Sequence, residues 1–279
     1  MAISIPINLV NFKNAKTACL AAITAACLSS GASFAQSATE DVSALLKDLQ
    51  KADFLQQPGI VQQIEAIGEA AVPALVDAMN QGDLRLRHQS IEILGRMRQD
   101  ARAATPELIK SLSDDEPQIR RNAAWALGRV GEDAGEAMPI LLKTALDEEW
   151  DVRADAVWAM GKVVEDTGEF GIVDAGLVEA VISHLGDLNP HVRWSAAWSL
   201  ARFGPGAEAA LPALVEALSD WSYEVRASAA AALGRIAASH HEEMLSDALH
   251  QAMDDENDLV RTRARAALDS LRARTVPGF

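Results

Sequence analysis

The chain has 279 residues, with 25 Lys and Arg against 40 Asp and Glu, a formal charge of -15, 49% hydrophobic residues and 5% aromatics. That length and hydrophobic share sustain a packed core and exclude a disordered or low-complexity chain. The acidic balance excludes a protein that wraps nucleic acid or coats an anionic membrane, since both need clustered cations to displace counterions.

Residues 1–35 read as a targeting segment rather than part of the fold. Lys13 and Lys16 are the only charged side chains before Glu40, an apolar run from Ala18 to Leu28 follows, and small residues end at Ser33-Phe34-Ala35. A positive start, a short apolar stretch and small residues before a cut are the order of a secretory signal peptide, here with cleavage after Ala35. The apolar run falls short of the roughly 20 residues of a membrane span, which disfavours an uncleaved anchor. Lipid attachment at Cys27, after Thr24-Ala25-Ala26, is a further alternative, although that stretch lacks the expected Leu. Cleavage removes two lysines, no acid and both cysteines (Cys19 and Cys27), taking the formal charge from -15 to -17. A periplasmic or secreted chain without disulfide, thiol nucleophile or thiolate metal site is expected.

Downstream, one pattern recurs: an apolar residue, an arginine and a helix of small residues. Ile119-Arg120-Arg121-Asn122-Ala123-Ala124-Trp125-Ala126-Leu127-Gly128-Arg129-Val130 is nearly copied by the segment from Val225 to Ile236. The leading arginines are Arg87, Arg120, Arg153, Arg193, Arg226 and Arg261, at spacings of 33, 33, 40, 33 and 35 residues. Pro73, Pro106, Pro139 and Pro212 open a second, shorter helix upstream of four of them, where the missing N–H is harmless. Each unit therefore predicts a helix A, a tight acidic turn and a helix B. Six residues before the last five arginines stand Asp114, Asp147, Asp187, Asp220 and Asp255; the first unit has Gln81 there, with Asp83 nearby. An acid in the turn and an arginine heading helix B predict a ladder that fixes how units stack, although a single exposed pair would contribute little.

The six-fold recurrence, the Asp/Arg register and the endings Leu94-Gly95-Arg96, Leu127-Gly128-Arg129 and Leu233-Gly234-Arg235 resemble HEAT repeats, specifically the HEAT-like type of phycobilisome lyases. Met160-Gly161-Lys162, Ala201 and Asp269-Ser270 depart from that ending. The resemblance implies an all-α fold, an α-solenoid of about six stacked helix pairs whose B helices line a concave face. Residues 36–58 are expected as an N-terminal capping segment, 59–274 as the repeats and 275–279 as a tail. Segments 41–51 and 59–68 fit a partial first unit. In the last B helix Arg265 takes a place held elsewhere by Ala124, Val157, Ala197 and Ala230, as a solvated terminal cap requires. A seven-residue insertion around Glu165 to Gly171, carrying Phe170, is either a plain surface loop or a small contact finger.

Helix geometry, about 100° per residue, separates two faces of each B helix. Counting from the leading arginine, positions -1, 3, 7 and 10 form the core stripe, and position 5 points away from it. Position 5 is Trp125, Trp158 and Trp198 in three successive units, and Trp194 at position 1 joins them. Rings in successive units are expected roughly 10 Å apart, the packing distance of helices. Position 9 supplies a cation four residues after each ring: Arg129, Lys162 and Arg202. That spacing allows cation–π contact, roughly 0.5–1 kcal/mol at an exposed site. Two readings stand: a groove for a protein or peptide partner with carboxylates and apolar side chains, or rings that pack between helices with cations placed for the helix dipole. Trp150 and Trp221 fall in turns and are expected to cap the inter-helix core.

No chemistry of a catalyst is written in the chain. His88, His184, His191, His240, His241 and His250 form no metal-binding spacing, and His240-His241-Glu242-Glu243 reads as a solvated loop start. Neither a Gly-rich phosphate loop nor a serine elbow occurs. The expectation is an exported, non-catalytic scaffold that takes a protein or peptide partner, with no cofactor, no metal, no nucleic acid and no membrane span in the mature chain. A bilin-lyase-like subunit holding a tetrapyrrole and a purely structural spacer are the alternatives.

Overall fold

The structure, a computed structural model, describes residues 40–167, 173–238 and 241–275, and among them the regular elements are helical. The expected leader with its cut after Ala35, the alternative at Cys27, Phe170, His240 and residues 276–279 lie outside the described residues. The chain divides into two compact units, residues 1–74 and 75–279.

The first unit holds helix α1 over residues 40–51, α2 (Gln57–Ile67) and the start of α3 (Val72–Gln81). Val42, Leu46 and Leu49 recur four and three residues apart, on one face of α1, and are buried. Gly68 ends α2 at φ 66°, a left-handed conformation in which a Cβ would be strained.

In the second unit, α3 leads to α4 (Leu84–Met97), and five further pairs follow: α5 (Thr105–Ser111) with α6 (Pro117–Val130), α7 (Met138–Thr144) with α8 (Trp150–Thr167), and α9 (Ala175–Ser183) with α10 (Pro190–Phe203); then α11 (Leu211–Ala217) with α12 (Tyr223–Ile236), and α13 (Glu242–Ala252) with α14 (Asp258–Thr275). From α4 to α14, successive even-numbered B helices pack on one another. Pro106, Pro139 and Pro212 stand in the first turns of their A helices, where no intrahelical partner is lost. The core stripe is sealed: Ile119, Ala123, Leu127 and Val130 are 0% exposed. Helix α8 continues to Thr167, so Glu165 and Asp166, expected in an inserted loop, are helical. The reason is local: Lys162 Nζ donates to Glu165 Oε2 (2.8 Å) and Asp166 Oδ1 (3.1 Å), three and four residues on.

Guanidinium–carboxylate rungs tie the A–B turns of successive units. Arg120 donates Nε and Nη2 to the two oxygens of Asp147, at 2.6 and 2.9 Å. Arg153 holds Asp187 (2.8 and 3.1 Å), Arg193 holds Asp220 (2.6 and 2.8 Å) and Arg226 holds Asp255 (2.7 and 2.9 Å) in the same bidentate way. Arg87 reaches Asp114. Each acid belongs to the unit after its arginine. Toward its own turn, the arginine donates Nη1 to the acid's backbone carbonyl, as from Arg120 to Asp114 (2.9 Å). Each carboxylate also accepts the N–H two residues on, as Asp147 does from Glu149 (3.0 Å). The six-residue spacing of acid and arginine thus closes one turn and grips two neighbours. Arg261, in the last unit, keeps the bonds to the Asp255 and Glu256 carbonyls and pairs with Asp258 of its own helix.

These rungs set the carboxylate titrations. Burial alone would push Asp147 up, but the Arg120 hydrogen bond, the Glu149 N–H and the nearby guanidiniums hold it below its ordinary value. Asp187 is held down against burial in the same way by Arg153. At Asp255 the Arg226 hydrogen bond leads.

Candidate binding site on the B-helix face

Along the six B helices, position 5 reads Glu92, Trp125, Trp158, Trp198, Ala231 and Ala266. Trp125, Trp158, Trp198 and the neighbouring Trp194 are all half-buried. Trp125 and Trp158 lean onto the glycines of the preceding helix, Gly95 and Gly128. The ring centroids of Trp158 and Trp198 are 6.0 Å apart and those of Trp194 and Trp198 6.4 Å, tilted by 32° and 33°. For Trp158 and Trp198, in successive units, the expected 10 Å ring spacing is therefore corrected. Indoles are long enough to tilt across the gap between two helices and meet. Packing and partial exposure coexist in the same side chains.

Two of the three expected cation contacts form. Arg129 Cζ lies 4.8 Å from the Trp125 ring centroid and Arg202 Cζ 4.3 Å from that of Trp198. Arg129 also donates Nε to Gly95 O at 3.0 Å. Burial lowers its pKa from the ordinary guanidinium value, aided by Arg98 and Arg96. Lys162 is different: its ammonium turns from Trp158 to Glu165 and Asp166, because two carboxylates attract a compact cation more strongly than a ring face does. Burial opposes that charge, yet the two carboxylates raise the Lys162 pKa above its ordinary value. Arg202 lies 3.3 Å from Glu165 Oε1, close enough for attraction but not aligned for a hydrogen bond, so its buried Nε has no hydrogen-bond partner.

Where the tryptophan column ends, a cleft of about 480 Å³ opens between α10, α12 and α14. Trp194 and Trp198 line it from α10, Ala231 and Gly234 from α12, and Arg263 and Ala266 from α14. Arg202 and Arg235 stand in the last turns of α10 and α12 and also border it. Sequence reasoning missed this cleft, although the step from Trp to Ala at position 5 was its signal. It also missed a second cross-unit pair, Arg121 with Asp155 (3.1 Å) and Asp151 (3.6 Å). Burial raises the Asp155 carboxyl pKa, against the pull of Arg121.

Other residues settle into structural roles. Trp150 begins α8 and stacks on His191, centroids 5.4 Å apart. Trp221, expected as a cap over the inter-helix core, is 73% exposed and lies 5.3 Å from the Arg193 guanidinium, covering a rung instead. His241 is not a solvated loop residue: its Nε2 is 3.1 Å from Glu208 Oε1 and its side chain is 13% exposed. Among the described residues no three His, Cys, Asp or Glu side chains gather as metal ligands, and no helix is long and apolar enough to cross a membrane.

The family model described as HEAT repeats matches residues 105–175 and 163–234. No curated protein matches the sequence significantly. Among solved structures, a designed armadillo repeat protein in complex with the peptide (KR)4 is similar at a TM-score of 0.60 and 22% identity, covering 72% of this chain and 99% of that one. Computationally designed armadillo repeat proteins for modular peptide recognition are similar at 0.57 and 24%, covering 71% and 99%. An engineered protein is similar at 0.59 and 22%, covering 76% and 97%. At such identities the likeness speaks to the fold alone, an all-α solenoid of repeated helix pairs. With repeated Asp–Arg rungs, small-residue B helices and the family match on the same segments, residues 105–234 of this chain are HEAT repeats.

Proposed function

We propose that this chain is an exported, non-catalytic scaffold that takes a protein or peptide segment on the outward face of its B helices, through Trp125, Trp158, Trp194, Trp198, Arg129 and Arg202. The observation that carries the reading is the cluster of four half-exposed indoles on one face, two of them covered by guanidiniums. Aromatic and arginine side chains dominate binding energy where they anchor a partner. A designed armadillo protein of the same fold is found with a bound peptide, which supports a partner of protein type.

Trp194 is the informative substitution, since Trp125 and Trp158 also fill space over glycines. Affinity capture from the native envelope with the wild-type chain and Trp194→Ala is expected to lose the partner in the variant. The melting temperature should fall by about 5 °C or less, given 2–4 °C per kcal/mol at this size. Retained partners with a large fall in melting would reduce the indoles to packing, and a visible absorption shift with an added bilin would move the role to pigment holding. N-terminal sequencing of the secreted chain is expected to begin at Gln36.

A further inference from the structure

We propose that the cleft between α10, α12 and α14 binds an acidic peptide segment of a partner protein, one that carries an aromatic or branched apolar side chain among its carboxylates. Arg202, Arg235 and Arg263 hold the carboxylates, and the apolar side chain sits over Ala231 and Gly234 against Trp194 and Trp198. The assignment rests on the scaffold reading above and adds the cleft that receives the partner, with Arg235 and Arg263 as the cations that hold its carboxylates.

Charge is the first argument. The protein carries -15 overall, yet this cleft is bordered by three guanidiniums and one carboxylate, Glu224. Neither Arg235 nor Arg263 has an acid within ion-pair distance among the described residues, whereas Lys162, farther along the same face, is closed off by Glu165 and Asp166. Helix dipoles account for cations in a last turn, and so for Arg202 and Arg235. They do not account for Arg263, which lies in the first half of α14 at a position occupied elsewhere by Gln89, Asn122, Asp155, Ser195 and Ser228. Burial lowers the Arg202 pKa from its ordinary value; Glu165 opposes, and Arg235 and Arg263 add to the lowering. Three mutually repelling cations gain when an anion enters.

Shape is the second argument. Ala231 and Ala266 occupy the positions that carry tryptophan in the preceding units, leaving a floor of small residues beside two indoles. A volume of about 480 Å³ lies within the usual 300–1,000 Å³ of binding pockets. A polyanion such as a nucleic acid meets long-range repulsion from the acidic remainder of the chain, which a short segment held at three cations largely avoids.

The test uses the mature chain and a display library of random short peptides at physiological salt. Enriched sequences are expected to combine Asp or Glu with Phe, Trp, Leu or Ile. A synthetic enriched peptide should lose at least about tenfold in affinity to Arg235→Glu/Arg263→Glu, with the melting temperature lowered by only a few degrees, because both side chains are exposed and the last-turn charge reversal at Arg235 costs only a helix-dipole interaction. Should the double variant unfold, Arg263→Gln alone is expected to weaken the peptide about threefold or more. No enrichment, enrichment without acids, undiminished binding to the variant, or tighter binding of a single-stranded oligonucleotide would each overturn the assignment. Loss of the native partner with Trp194→Ala but not with the double arginine variant sinks this inference and leaves the scaffold; retention by both sinks both.

Discussion

Gly128 shows how a single hydrogen atom sets the spacing of the B helices. A Cβ there would lie 2.7 Å from Trp158 Cζ3 and 3.1 Å from Ala159 Cα, and one at Gly234 would lie 2.7 Å from Ala267 Cα. Gly128→Ala is therefore expected to destabilise even though alanine is the better helix former by about 1 kcal/mol. Overpacking of about 1–3 kcal/mol outweighs that gain, and thermal melting should show a fall of several degrees. Gly59, where an added Cβ would meet nothing within 4 Å, carries no such constraint, so Gly59→Ala should raise stability by up to about 1 kcal/mol. Arg98 offers the opposite case: it closes α4 at φ 55°, where Gly131 and Gly204 close α6 and α10. Arg98→Gly is expected to relieve about 1 kcal/mol of backbone strain and raise the melting temperature by a few degrees.

Between elements, the rungs differ in weight because they differ in exposure. Arg193 and Asp220 are 8% and 11% exposed, so Arg193→Ala leaves a nearly buried carboxylate unpaired at a cost of about 3 kcal/mol. Lys110 in its pair with Glu107 is 70% exposed, and Lys110→Ala should move stability by less than about 0.5 kcal/mol. Denaturant titration of both variants checks the contrast. The rungs also give the fold a pH dependence. Asp147, Asp187 and Asp255 titrate below their ordinary values, so their stabilisation is fully present above the unfolded pKa of about 3.9 and is lost as pH falls through the lowered folded values. The melting temperature should therefore drop below about pH 4, and the triple Asp→Asn variant at these positions should show a shallower drop over the same range.

At the scale of the whole molecule, stability in a repeat array is a sum of unit and neighbour terms. Replacing Arg153 and Asp187 by Ala and Asn cuts the coupling in the middle of the ladder, between α8 and α10. Calorimetry is expected to show two transitions for that variant; a single sharp one would mean that apolar B-helix packing alone keeps the array cooperative.

Periodicity carried the helix pairs, since the 33-residue recurrence of apolar-Arg and the prolines opening the A helices report local backbone chemistry. The core stripe followed from the helical turn alone, and the Asp–Arg register pointed to a ladder because both partners repeat with the unit. Ring contact did not follow. Only the packed helices decide that Trp158 and Trp198 tilt together to 6.0 Å, that Lys162 leaves its indole for two acids, and that a cleft remains where Ala231 and Ala266 stand. A one-dimensional pattern states which way a side chain leaves its own helix; how far it reaches, and what it meets, depends on the distance and register of the helix beside it.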